Sequence, residues 1–262
     1  MSVFSPDQVS AIRQLRALWK DIRFCLIGAT ALGFHLDRTW RKTNDIDFTL
    51  SVAMNAFPAG LDRLVGWKRH RTREHEWHGP GGVQIDVLPA GDDLLKAGEV
   101  LWKSGHRMSL VGMRLAFETA ADTPIAKDLR IAVPSLCSLA LLKMVAYLDR
   151  PHERERDLAD LAHVLEEYVV HSDERVYGEN IPSEIELERR PSFLFGADLG
   201  ALVNATERAV VDRFIGLARG SAAYTTRARL LRLGPVRWRN KDDEVELDAL
   251  LSAFLAGFSP RK

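Results

Sequence analysis

The pattern of apolar residues changes character at Pro134, and that change limits the architectures open to the chain. Before Pro134, short apolar runs alternate with turns; after it, apolar residues recur at helical spacing. A helix start is expected at Ser5-Pro6-Asp7, with Val9, Ile12, Leu15, Leu18 and Trp19 on its inner face. Residues 24–27 read as a strand ending at Gly28, and residues 29–36 as a helix after a tight turn. Residues 45–52 alternate polar and apolar and read as a strand. Residues 58–64 read as a short helix with Pro58 in its first turn. Residues 67–73 and 82–88 read as two strands joined by a polar loop, 108–117 as ambiguous with strand preferred, and 130–133 as a short strand. Pro134 then opens a long helix. Further helical stretches follow around residues 158–168, 199–218 and 245–258, separated by polar connectors at 172–191 and 234–243.

This order predicts an α+β fold: a mixed sheet with helices over residues 1–133, then a mainly helical domain over 134–262. The 262 residues are enough for one large domain or two modest ones. Hydrophobic residues at 46% and charged residues at 27% describe an ordinary globular mixture. The 36 basic and 36 acidic residues cancel, which excludes a global basic field, so any nucleic-acid contact must use local patches. Cys25 and Cys137 both lie in apolar runs and are too few for a disulfide framework or a zinc ribbon, so two buried thiols are expected. Residues 1–20 lack a signal-peptide core, and the longest apolar stretch, 136–148, is interrupted by Lys143 and too short to span a bilayer. A cytoplasmic protein with no membrane partner is expected.

The run Asp45-Ile46-Asp47-Phe48 carries the chemistry. In a strand Asp45 and Asp47 point to one face while Ile46 and Phe48 enter the core. Two readings are open: a solvated edge strand, or a pair of hard oxygen ligands for Mg2+ or Mn2+. Asp86, set among Ile85, Val87 and Leu88, is a second strand acid; it lies on a solvated face or joins the pair. Three carboxylates at one point can hold two metals and activate a hydroxyl. A strand passing through Gly28 into a helix brings backbone amides close to a ligand, and a helix N-terminus favours anions. Lys143 is the sole charge on a helix apolar nearly all round, so it either snorkels or reaches a polar site. On the next helix, set by Leu158, Leu161, Leu165 and Tyr168, Asp157 falls at the edge of the apolar face and Asp160 well away from it, solvated.

The run Leu26-Ile27-Gly28-Ala29-Thr30-Ala31-Leu32, followed by Arg41-Lys42-Thr43-Asn44-Asp45-Ile46-Asp47-Phe48, resembles the polymerase-beta-like nucleotidyltransferase superfamily. Within it the chain resembles the AbiEii or MenT type, toxins of toxin–antitoxin and phage-defence systems. Arg41, Thr43, Asp45 and Asp47 match the pattern; Ala29 departs from its usual Gly or Ser, losing a hydroxyl but keeping the amide. Lys143 and Asp157 match a Lys on one helix and an Arg-Asp-x-x-Asp-Leu run on the next. The resemblance covers about residues 25–168. It implies a nucleotidyltransferase fold, with Asp45, Asp47 and Asp86 as metal ligands, and with Asp45, Asp47, Asp86, Lys143 and Asp157 as catalytic residues. Gly28, Ala29, Thr30, Arg41, Thr43 and Lys143 would contact or support the nucleotide, the helical domain completing the cleft.

The implied reaction moves NMP from an NTP to an acceptor hydroxyl, a tRNA 3′ end on the toxin resemblance, with an antitoxin as partner. A small-molecule transferase of the aminoglycoside type and a non-catalytic nucleotide- or RNA-binding module are the rivals. Two basic stretches are candidate RNA contacts: Lys68, Arg69, His70, Arg71 and Arg73; and Arg227, Arg229, Arg232, Arg237, Arg239 and Lys241 with Trp238. The first reads more readily as a solvated hairpin, and the second is open to an ordinary surface reading too. His70, His75 and His78 lack the spacing of a metal site.

Overall fold

A computed structural model of the chain describes residues 3–37, 45–169, 173–220, 225–235 and 243–259. The chain divides into two compact units, Met1–Ser135 and Leu136–Lys262.

The first unit opens with helix α1 (Pro6–Leu18). Ser5 caps it, its hydroxyl accepting from the Gln8 amide while the Gln8 side chain accepts from the Ser5 amide. Strand β1 (Phe24–Ile27) runs into the short α2 (Gly28–Leu32), and β2 (Asp45–Leu50) follows. Strands β3 (Lys68–Arg69), β4 (Glu76–His78) and β5 (Gln84–Pro89) complete a five-stranded sheet in the order β1-β2-β5-β4-β3. The sheet is mixed: β2 and β5 are parallel and the other pairs antiparallel. Helix α3 (Asp92–Ala97), the β6–β7 hairpin (Glu99–Leu101 and Arg107–Ser109), α4 (Met113–Thr119) and the β8–β9 hairpin (Ala121–Ala126 and Leu129–Val133) finish the unit.

Register gives the sheet two unlike faces. Leu26 lies opposite Phe48, and Ile46 and Phe48 lie opposite Ile85 and Val87, so one face is apolar. Trp19 from the end of α1 packs edge-on against Phe24 and Phe48, with ring centroids 5.3 and 5.9 Å away. The other face carries the acids.

The second unit is helical: α5 (Leu136–Asp149), α6 (Glu155–Glu167), α7 (Arg190–Leu202), α8 (Ala205–Ala218), α9 (Thr226–Leu233) and α10 (Asp243–Phe258). Two glycines let α7 and α10 approach closely: a Cβ on Gly196 would lie 2.0 Å from the Phe254 carbonyl oxygen, and one on Gly257 2.1 Å from that of Phe193. Backbone atoms cannot move aside as a side chain can. Gly196→Ala is therefore expected to destabilise the chain by about 1–3 kcal/mol, read as a lower urea midpoint.

Several sequence expectations need correction. Residues 58–64 form no helix starting at Pro58: Ala59 (φ 57°) and Gly60 (φ 82°) are left-handed, and only single tight turns form at Met54–Ala56 and Leu61–Arg63. The strands expected at 67–73 and 82–88 are not partners, because β4 lies between β3 and β5. Residues 108–117 hold the end of β7 and then α4, broken at the left-handed Gly112. The stretch 199–218 is two helices, not one. Asn204 ends the first by capping the second, in a reciprocal pair with Glu207. Helix α7 also begins at Arg190, inside the expected connector. Both cysteines are buried, and burial pushes their thiols up to about 12, so they are inert at neutral pH. Among the described residues no helix is long and apolar enough to cross a membrane.

Candidate active site

Parallel pairing of β2 with β5 sets Asp47 opposite Asp86 and Asp45 opposite Gln84. Asp45, Asp47 and Asp86 thus share one face at adjoining positions, each offering a carboxylate oxygen within 4.8 Å of the others. All three are partly exposed, while Ile46, Phe48, Ile85 and Val87 between them are fully buried. Three like charges this close repel one another. The apolar face holds them in place nonetheless, because slipping either strand by one residue would turn its apolar set to solvent.

Gly28 closes the site from β1. Ile27 lies opposite Asp47, and the next residue turns with φ 72° into α2. A Cβ at Gly28 would stand 2.1 Å from Asp47 Oδ2, so the backbone here runs directly over the carboxylate. Only glycine satisfies both the torsion and the space. α2 has five residues, so the anion preference expected of a helix N-terminus rests on the amides of the turn rather than on a long macrodipole. Ala29 is buried, and buried Thr30 donates its hydroxyl to the Asp45 carbonyl at 2.9 Å, bracing the first residue of β2. Arg41 and Thr43 lie outside the described residues. Gly28→Ala is expected to weaken Mn2+ binding at least tenfold, roughly the effect of disturbing a ligand's support. It should cost only about 1–2 kcal/mol of stability for the torsion. Paired Mn2+ and urea titrations check both.

The donor set tests whether a metal belongs here. Three carboxylates beneath a glycine turn supply hard oxygen ligands, and these fit Mg2+ or Mn2+.

Neighbours of the acids that spacing did not reveal come from β4. Glu76 lies opposite Asp86 and is buried. Burial alone would push its carboxyl up. Hydrogen bonds from Arg73 (2.9 Å) and His78 (3.0 Å), with the charges of Arg73 and His70, outweigh burial and hold it below the usual range. His75 Nε2 stands 3.9 Å from Asp86 Oδ2. His70 and His78 stand against Glu76, and His75 against Asp86. No alternation in sequence flags Glu76, since β4 is only three residues long.

In the helical unit Lys143 is buried. Its ammonium lies 2.8 Å from Asp157 Oδ1 and 2.6 Å from Asp160 Oδ2. Arg154 Nε adds a contact to Asp157 at 3.1 Å. Lys143 does not snorkel. Asp160 is fully buried, against the solvated position expected of it. One covered side would leave Asp160 in solvent, whereas α6 packs against α5, α7 and α9 and is buried over most of its circumference. In the second basic stretch Arg227 grips Asp248 with both terminal guanidinium nitrogens, and Arg229 and Arg232 both pair with Glu155. Arg237, Trp238, Arg239 and Lys241 lie outside the described residues.

Comparison with known proteins agrees with this chemistry. The family described as nucleotidyl transferase AbiEii toxin, type IV TA system, matches residues 13–212. A comparison with curated proteins gives no match. The match takes in the glycine turn, both acid strands and the Lys143 triad. With most of the chain covered, the protein belongs to the AbiEii nucleotidyltransferase toxin family of type IV toxin–antitoxin systems.

Proposed function

We propose that the chain transfers NMP from an NTP to an acceptor hydroxyl, the 3′ end of a tRNA, and that a cognate antitoxin restrains it. The observation that carries this reading is the convergence of Asp45, Asp47 and Asp86 beneath Gly28. Those three carboxylates would hold Mg2+ or Mn2+, with Asp45 and Asp47 on the triphosphate side and Asp86 toward the acceptor. The ions, when bound, supply Lewis acidity where negative charge builds on the transferring phosphoryl group. The chain's own residues orient and relay. The Gly28 and Ala29 amides face the triphosphate and position its α-phosphorus for in-line attack. Thr30 braces the start of the strand whose Asp47 pairs with Asp86. Asp86 takes the proton of the attacking hydroxyl, and pyrophosphate leaves. In the helical unit Lys143 is the proposed phosphate ligand, with Asp157 and Asp160 holding its ammonium. Arg41 and Thr43 are proposed to support the segment before β2.

Incubation of the protein with each α-labelled NTP, Mg2+ and total RNA tests the reading. Label in the tRNA fraction is the expected result. Label on an aminoglycoside and none on RNA would overturn the acceptor. Nucleotide binding with no transfer to any acceptor would overturn the reaction.

A further inference from the structure

The face of the sheet that carries the acids does not end at β5. Because directly paired residues share a face, the register extends two rows of side chains across it. One row runs Asp45, Gln84, His78, Lys68; the other runs Asp47, Asp86, Glu76, with the His70 amide donating to the Glu76 carbonyl. Charge changes sign along the first row, from Asp45 to Lys68. The β2–β5 end holds the acid triad, and the β3–β4 end gathers Lys68, Arg69, Arg71 and Arg73 within six residues. Arg69 pairs with Glu74 and Arg73 with Glu76. Lys68 and Arg71 are exposed and have no acidic partner among the described residues. Glu76 is buried under Arg73 and His78 and adds little negative surface. The His70 and His78 rings sit 6.1 Å apart beside this edge, offering flat surfaces for bases.

We propose that this edge of the sheet, Lys68, Arg71, His70 and His78, carries the phosphate backbone of a single-stranded RNA acceptor whose 3′ hydroxyl reaches the acid triad. The inference rests on the proposed nucleotidyl transfer to RNA and adds where the acceptor lies. Strands are spaced about 4.8 Å apart, so Lys68 stands three strands, or about 14 Å, from Asp45. A strand laid along the rows has its backbone phosphates on cations and its reacting end on the acids. The reverse direction would place phosphates on carboxylates. An exposed edge strand of two residues, rich in base, is also too short and too charged to pair with another sheet, so a nucleic acid fits it better than a protein strand.

The test uses the full chain and a fluorescein-labelled single-stranded RNA oligonucleotide, with binding followed by anisotropy over a range of salt. Lys68→Ala/Arg71→Ala should bind about tenfold more weakly near 0.15 M salt. The slope of log K against log salt should flatten by about 1.4, or 0.7 for each lost phosphate contact. In NMP transfer to RNA the double variant should raise KM for RNA and leave kcat and the KM for NTP unchanged. The charge-matched variant Lys20→Ala/Lys127→Ala should match the wild type in every reading. Unchanged affinity, slope and KM in the Lys68/Arg71 variant, with wild-type protein labelling RNA, would overturn this surface and leave the transfer reaction standing. Absence of RNA labelling by the wild type would overturn the reaction and this inference with it.

Discussion

Asp47→Asn is expected to abolish NMP transfer, with kcat lower by at least about 10²–10³, while the urea midpoint stays level or rises. Both halves follow from the same geometry. Asp47 lies between Asp86 across the strand pair and Gly28 above it, so its charge belongs to the triad whichever ion binds. Asn keeps an amide oxygen but loses the carboxylate charge by which Mg2+ is held. Its neutrality also relieves repulsion with Asp45 and Asp86, which lie within 4.8 Å. A variant that loses activity because it unfolds would show the opposite stability change. Full transfer by Asp47→Asn would remove the acid cluster from the reaction.

The second large effect lies in the helical unit. Lys143→Met is expected to lower stability by about 3–5 kcal/mol, because it leaves Asp157 and Asp160 buried without the cation between them. Adding Asp160→Asn should return part of that loss, since one of the two stranded charges is removed. Chemical denaturation of the wild type and both variants reads this directly. A loss under about 1 kcal/mol for Lys143→Met would match a surface pair and would show that the triad is solvated in solution.

What could be read from the amino-acid order follows from how local each feature is. The Ser5 cap, the strand ending at Gly28 and the alternation of Asp45, Ile46, Asp47 and Phe48 depend on neighbours a few residues away, and all formed as expected. The convergence of Asp86 on the pair depends on a parallel partnership across more than thirty residues. Spacing could suggest it but not decide it, because either face of β5 was open to Asp86. Glu76 and His75 were out of reach for the same reason: their importance comes from register with β5. Strand β8 hid behind Pro124 and a half-exposed run of mainly small or polar residues, as an edge hairpin can. Asp160 was misplaced because a helical wheel cannot know how many neighbours a helix has. The extra contacts of α6 made a buried ion triad from what looked like a solvated acid.

The central claim is that Asp45, Asp47 and Asp86 act together in holding the divalent ions. Mn2+ titration followed by electron paramagnetic resonance, comparing the wild type with Asp86→Asn, tests it most directly. Asp86 is the residue whose membership depends on the fold rather than on the sequence motif. The account predicts saturable Mn2+ binding in the wild type and at least about tenfold weaker binding in Asp86→Asn. Equal Mn2+ affinity in the two proteins would contradict it.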